Sequence, residues 1–212
     1  MPVTTVDDSL AAQVKTLLTA PRPWTIVPVG SPVLRRPAAR YEGQLPDDLL
    51  AELLDAMRAH LPGVGVGLAA PQVGIPLAMA VIDDPARIAP ELAAARERPP
   101  QAPLDLVNPS VTPLGDETVA FYEGCLSVDG LTAVVARHRR VRLTAADRSG
   151  RTYALELSGW PARIAQHEAD HLDGILYLDR AEPRSISTTA AYGQYWSDPT
   201  PARAATALGF PA

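Results

Sequence analysis

The sequence predicts one domain of mixed helices and short strands. Three observations carry that reading. Apolar residues recur with helical period over 46–60, five short strand-like runs follow between 104 and 157, and a second helical segment covers 159–172. A chain of 212 residues can bury a real core, and 47% hydrophobic against 20% charged residues excludes a disordered chain.

The elements follow in order. Residues 1–24 form a leader, in which Asp8 to Leu18 predicts a short amphipathic helix that PRPW breaks. Residues 25–40 are Pro-punctuated and extended. Pro46 opens the first strong helix, with Leu49, Leu50, Leu53, Leu54 and Met57 on one face, and Pro62 ends it. The glycines of GVGVGLAAPQVG, 63–74, mark backbone that turns or closely approaches something. A buried strand is predicted at 77–82 and a surface excursion with one helical turn at 84–103. Strands at 104–108, 118–122, 131–136, 139–146 and 152–157 come next, with a hairpin turn at Ser149-Gly150. Ser158 is a plausible N-cap for 159–172, Pro161 suits the first turn, and Gly174 stops the helix. From 183 the chain is polar and Pro-containing, with Tyr192, Tyr195 and Trp196 as candidate pins to the body. No internal repeat and no second domain are legible.

Charge and composition exclude several functions. The net charge of -5 gives no electrostatic grip on nucleic acid. The cluster Arg137, Arg139, Arg140 and Arg142 reads as a solvated strand face. No run of 18 apolar residues predicts a membrane helix, and the N-terminus lacks a secretory pattern, so the expected compartment is the cytoplasm. The single cysteine, Cys125, excludes an intrachain disulfide.

The chemistry concentrates in His167-Glu168-Ala169-Asp170-His171. Histidines four apart on a helix lie about 40° apart in azimuth and one turn apart in rise, so both imidazoles can reach one ion. Glu168, about 100° round from His167, sits beside that ion, where a general base belongs. Two of only four histidines fall here. A third ligand is needed. Downstream candidates are poor: Tyr177 occupies the position where one zinc-protease pattern has a histidine, and Glu182 is only eleven residues past His171. Upstream, Cys125 follows a strand signal and a glycine, and a thiolate suits Fe²⁺ or Zn²⁺. A lone cysteine is also commonly a small buried hydrophobe.

Three separated motifs, GVGLAAPQ, EGCLS and QHEADH, resemble those of peptide deformylases, in the same order. VGSPVLRRPA is similar to that family's N-terminal segment, and the resemblance spans about 25–185. It implies an α+β fold, with small antiparallel sheets packed around a central metal-binding helix. It divides the chain into a leader at 1–24, a catalytic domain at 25–185 and a tail at 186–212. The activity implied is hydrolytic removal of the N-formyl group from N-formylmethionyl nascent polypeptides at the ribosome, in the cytoplasm, with release of formate. One divalent ion per chain is implied, Fe²⁺ first, with Zn²⁺, Ni²⁺ or Co²⁺ able to take the same ligands. No membrane or specific nucleic acid is expected as a partner. On matching positions the ligands fall on Cys125, His167 and His171 and the general base on Glu168. The oxyanion donors fall on the Gln72 side chain and the Leu126 backbone N–H. Substrate contacts fall on Val66, Gly67 and Gly124, and Trp160, Arg163 and Ile164 share the helix face that lines the methionine pocket. Asp129 and Ala136 stand where the family often has proline, so a divergent paralogue with altered substrate is one alternative. A zinc peptidase is the other, and the missing downstream ligand argues against it.

Overall fold

The computed structural model describes residues 6–211. Residues 1–5 of the leader and Ala212 of the tail lie outside the described residues. Helix α1, Asp8–Thr19, starts at Asp7, whose carboxylate accepts from Ser9 and Leu10 N–H groups at 3.0 Å. It packs on α2, Asp47–Arg58, whose leucine stripe lies inward as its period predicts. Strands β1, Gly67–Ala69, and β2, Met79–Asp84, follow, then the short helix α3, Pro90–Ala95. Next come β3, Gln101–Pro113, β4, Thr118–Cys125, β5, Val128–His138, β6, Arg140–Ala146, and β7, Thr152–Ser158. Helix α4, Gly159–Leu172, and α5, Tyr177–Arg180, lead to β8, Ser187–Thr188, α6, Thr189–Ala191, and α7, Ala202–Leu208.

The strands form two antiparallel sheets, a five-stranded one ordered β1-β2-β3-β6-β7 and a three-stranded one ordered β4-β5-β8. The first four residues of β2, Met79 to Ile82, are buried on both faces, which is why they read as an unbroken apolar run. Side chains alternate along the strand. Met79 and Val81 join Leu68 in the core under α1 and α2. Ala80 and Ile82 join Ala69, Leu106, Leu143 and Ala145 against Ile164, Ala165 and Leu172 of α4. Three alanines on that sheet face let the helix sit close. Helix α4 also touches β5 of the smaller sheet, so it lies between the two sheets. Among the described residues no helix is long and apolar enough to cross a membrane.

Several local expectations change. Helix α4 begins after Ser158 as predicted, but the serine side chain caps nothing. The Trp160 N–H instead donates to the Glu97 carbonyl at 3.1 Å. Arg137 is not on a solvated face: it is 4% exposed and ion-paired in the interior. Arg139, Arg140 and Arg142 do stay at the surface, paired with Glu97, Glu117 and Glu156. The segment beyond 183 is more ordered than its polarity predicts. Strand β8 pairs with β5, and α7, through Ala204 and Ala205, packs together with the following Phe210 on Tyr122 and Val134. Tyr192 and Trp196 join that cluster, whereas Tyr195 remains 49% exposed and pins nothing.

Candidate metal centre

Cys125 ends β4 and the two histidines lie on α4, so the site bridges the small sheet and the central helix. The ligand atoms of Cys125, His167 and His171 all lie within 4.8 Å of one another. Cys125 Sγ is 3.3 Å from His171 Nε2. Strand β4 carries a register shift between Glu123 and Cys125, and such irregularities re-aim side chains beside active sites. Glu123 Oε2 lies 2.9 Å from His167 Nδ1, which leaves Nε2 of that ring for an ion.

Glu123 anchors a buried ionic network. Its Oε1 accepts from Arg137 Nε and Arg163 Nη1, each at 2.6 Å. Arg137 Nη1 donates to Asp170 at 2.8 Å, and Arg180 closes on the same carboxylate with two 2.8 Å bonds. Burial opposes ionisation of Glu123, but Arg137 and His167 overcome it and hold the carboxyl well below its usual range. Burial alone would also lower His167, yet Cys125 and Glu123 hold it up to about 10. His171 is pushed well down by burial, then by positive His167 and Arg137, so it stays neutral. The groups that keep a proton on His167 favour a divalent cation in its place, and a neutral His171 needs no deprotonation to ligate.

Glu168 completes the centre. Burial raises its carboxyl to about 7, against the pull of His167 and Arg137. Its Oε2 is buried without a hydrogen-bond partner, as is His171 Nδ1. An orphaned carboxylate oxygen on a residue that lines the same cleft as Cys125 and His167 fits a site that receives an ion and water. Gly67 makes room for it: a Cβ there would stand 2.2 Å from Glu168 Oε1. Gln72 is held by accepting from the Ala69 N–H at 2.9 Å. Its amide nitrogen then donates to Ser127 Oγ at 3.3 Å and points at Cys125 Sγ, 3.5 Å away.

A cleft of about 530 Å³ opens onto these groups. Val66, Gly67 and Gln72 line one side of it, Gly124, Cys125 and Leu126 another, and Trp160, Arg163, Ile164, His167 and Glu168 a third. His171 lies deeper, 1% exposed, behind Cys125. Arg163 lines the cleft, but its guanidinium is spent on Glu123 and on the Val119 and Val135 carbonyls. Sequence reading gave Glu123 and Asp170 no role and placed Arg137 on a solvated strand face. The signal was present for two of them, because Glu123 stands inside EGCLS and Asp170 follows His167 by three residues, on the same helix face.

One sulfur and two imidazoles around an open position, with a buried carboxylate alongside, have the composition of a mononuclear hydrolase centre. Comparison with known proteins gives the family. The polypeptide deformylase family model matches residues 23–186. "Peptide deformylase 3" of Streptomyces avermitilis is 56% identical over 202 residues, 95% of this chain and 90% of its own length. "Peptide deformylase 1" of Streptomyces coelicolor is 54% identical over 202 residues, 95% and 93% of the two chains. The structure is similar to Met-Ala-Ser-bound class I type b peptide deformylase from Acinetobacter baumannii, with TM-score 0.66 and 33% identity, over 74% of this chain and 97% of that one. The chain belongs to the polypeptide deformylase family, hydrolases that remove the N-formyl group from nascent polypeptides.

Proposed function

We propose that Cys125, His167 and His171 hold one divalent ion, Fe²⁺ in the native protein, and that Glu168 performs the proton transfers of deformylation. The soft sulfur donor favours Fe²⁺ over harder ions, and Zn²⁺, Ni²⁺ and Co²⁺ suit the same ligands. The bound ion supplies a Lewis acid that lowers the pKa of water and polarises the formyl carbonyl. Burial raises the Glu168 carboxyl to about 7, the range that suits a proton carrier at neutral pH. It accepts the proton of the attacking water and returns it to the amine as the C–N bond breaks, giving formate and a free N-terminus. The Gln72 amide and the Leu126 N–H donate to the formyl oxygen as charge grows on it.

The peptide backbone lies against Val66, Gly67 and Gly124, as an added strand on the edge of β1. The first side chain enters between Trp160 and Ile164, with Arg163 as wall rather than partner. Residues 25–185 are the catalytic domain in this reading. The substrates are N-formylmethionyl chains emerging from the ribosome in the cytoplasm, and the Met-Ala-Ser bound by the Acinetobacter relative is the kind of product expected.

The observation that carries this reading is the convergence of the Cys125, His167 and His171 ligand atoms within 4.8 Å of one another, in a cleft that Glu168, whose Oε2 is buried and unpartnered, also lines. The experiment is formate release from N-formyl-Met peptides by protein purified without oxygen, with metal analysis of the same sample and unblocked peptides assayed in parallel. Formate release with one metal per chain is expected. Cleavage of internal bonds without formate would overturn the reading in favour of a peptidase.

A further inference from the structure

One wall of the cleft, Trp160 apart, has no part in the reaction proposed above. It forms where the 84–103 excursion meets the C-terminal segment. Gly159, at φ +61, lies so close to the excursion that a Cβ would stand 2.4 Å from Glu97 Cβ and 2.5 Å from its carbonyl oxygen. Arg139 grips the Glu97 carboxylate at 2.6 Å, and Arg98 is fastened to Asp84 by bonds of 2.7 and 2.9 Å. Arg96 is thus presented from backbone docked on the start of the helix that carries both histidines. Its guanidinium lies over the Trp160 ring, 4.8 Å from the centroid, and donates to Tyr192 Oη at 3.3 Å. Tyr192 packs in turn on Tyr122, with ring centroids 4.9 Å apart. All four of these side chains line the cleft.

Arg96 is short of acceptors. The carboxylates beside it, Glu97 and Asp84, are taken by Arg139 and Arg98, and among the described residues Arg96 forms no ion pair. Its Nε is buried without a hydrogen-bond partner. The other charged groups at the Trp160 ring, Arg98 at 5.3 Å and Arg163 at 5.6 Å from its centroid, are of the same sign. A guanidinium carries five N–H donors in a fixed fork that matches a carboxylate. Stacked on an indole face, it keeps the edges of that fork free.

We propose that Arg96 is a specificity-determining residue, held by Tyr192, that selects N-formyl peptides with a carboxylate among the residues that follow the formylated one. The inference rests on the deformylase reading. Asp129 lines the same cleft and repels acid near itself, so the preference depends on position along the peptide.

The test uses the full, metal-loaded protein and peptides amidated at the C-terminus, formyl-Met-X-Ala and formyl-Met-Ala-X. X is Asp or its uncharged isostere Asn, and formate release is followed. The expected result is a kcat/KM ratio of acid to amide of about tenfold at one of the two positions, carried by KM, the size of a charge-assisted hydrogen bond. Arg96→Gln brings that ratio to about one, Tyr192→Phe gives an intermediate value, and Arg87→Gln, an exposed arginine of the same excursion, keeps it. A wild-type ratio of one at both positions overturns the inference. So does a ratio that survives Arg96→Gln, or an equal loss on both peptides, which marks a structural role. No formate from any peptide overturns the deformylase reading instead.

Discussion

The two faces of α4 are built differently. Toward the five-stranded sheet, Ile164, Ala165 and Leu172 pack on alanines and aliphatic side chains. Toward the small sheet, Arg163, His167 and Asp170 meet Glu123 and Arg137 in a closed set of ion pairs. The apolar face fixes how near the helix lies to the sheet, and it can adjust by small shifts. The ionic face fixes where rings and carboxylates point. Glu123 cannot turn without stranding a buried guanidinium, because it serves Arg137, Arg163 and His167 together. A buried network of this kind adds little net stability, yet loss of one member is costly. Direction is therefore held by charge and distance by packing.

Four substitutions break or sharpen that contrast. The largest effect belongs to Glu168→Gln: formate release falls by about 10²–10⁴ while metal content, read by elemental analysis, stays near one. Loss of the metal would place Glu168 among the ligands. Gly67→Ala follows. Its Cβ would overlap Glu168 Oε1, so we expect about a hundredfold loss of kcat with metal retained. Unchanged turnover would show that Glu168 can move without penalty.

Glu123→Gln tests the ionic face itself. It should cost about 3–5 kcal/mol in urea unfolding of the metal-free protein and weaken metal binding about 10–100-fold in chelator competition. The penalty depends on pH with a defined sign. The folded-state pKa of Glu123 is depressed, so its contribution is fully present above its usual range near 4.5. It is lost as pH falls through the depressed folded value. The stability gap between wild type and variant should thus be constant near pH 6 and shrink in stronger acid. A gap that widens in acid would contradict the network. Smallest is Ile82→Val on the apolar face, about 0.5–1.5 kcal/mol in the same unfolding measurement, with metal affinity unchanged. If it weakened the metal as Glu123→Gln does, the two faces would not be separable.

Much of this molecule is legible in its residues, for local reasons. The leucine stripe of α2 and the bounds of α4 follow from period and from Pro and Gly placement. The paired histidines follow from helix geometry alone. What stayed hidden depends on distant partners. Cys125 is legible as an upstream ligand candidate, but its nearness to the histidines is not: only the fold brings its sulfur within reach of both rings. Arg137 sits in a run of arginines whose other members are solvated, and nothing local distinguishes it. Its burial is decided by Glu123, fourteen residues away, and Asp170, thirty-three away. Helix α7 escaped because its alanines carry little pattern, and its packing on Tyr122 is tertiary. Arg96 lies in a stretch whose prolines and arginines read only as surface.

Strand β1 has three residues and ends its sheet. Exposed sheet edges invite other chains to pair with them, and long flat ones seed aggregation. An edge of three residues, bounded by the turn at Gly63–Gly65 on one side and the Ala70–Val73 helical turn on the other, offers too little ladder to hold a second folded copy. It is long enough for the end of an extended peptide. The brevity that would limit how much of a peptide this edge could grip also leaves little ladder for a second copy to pair with.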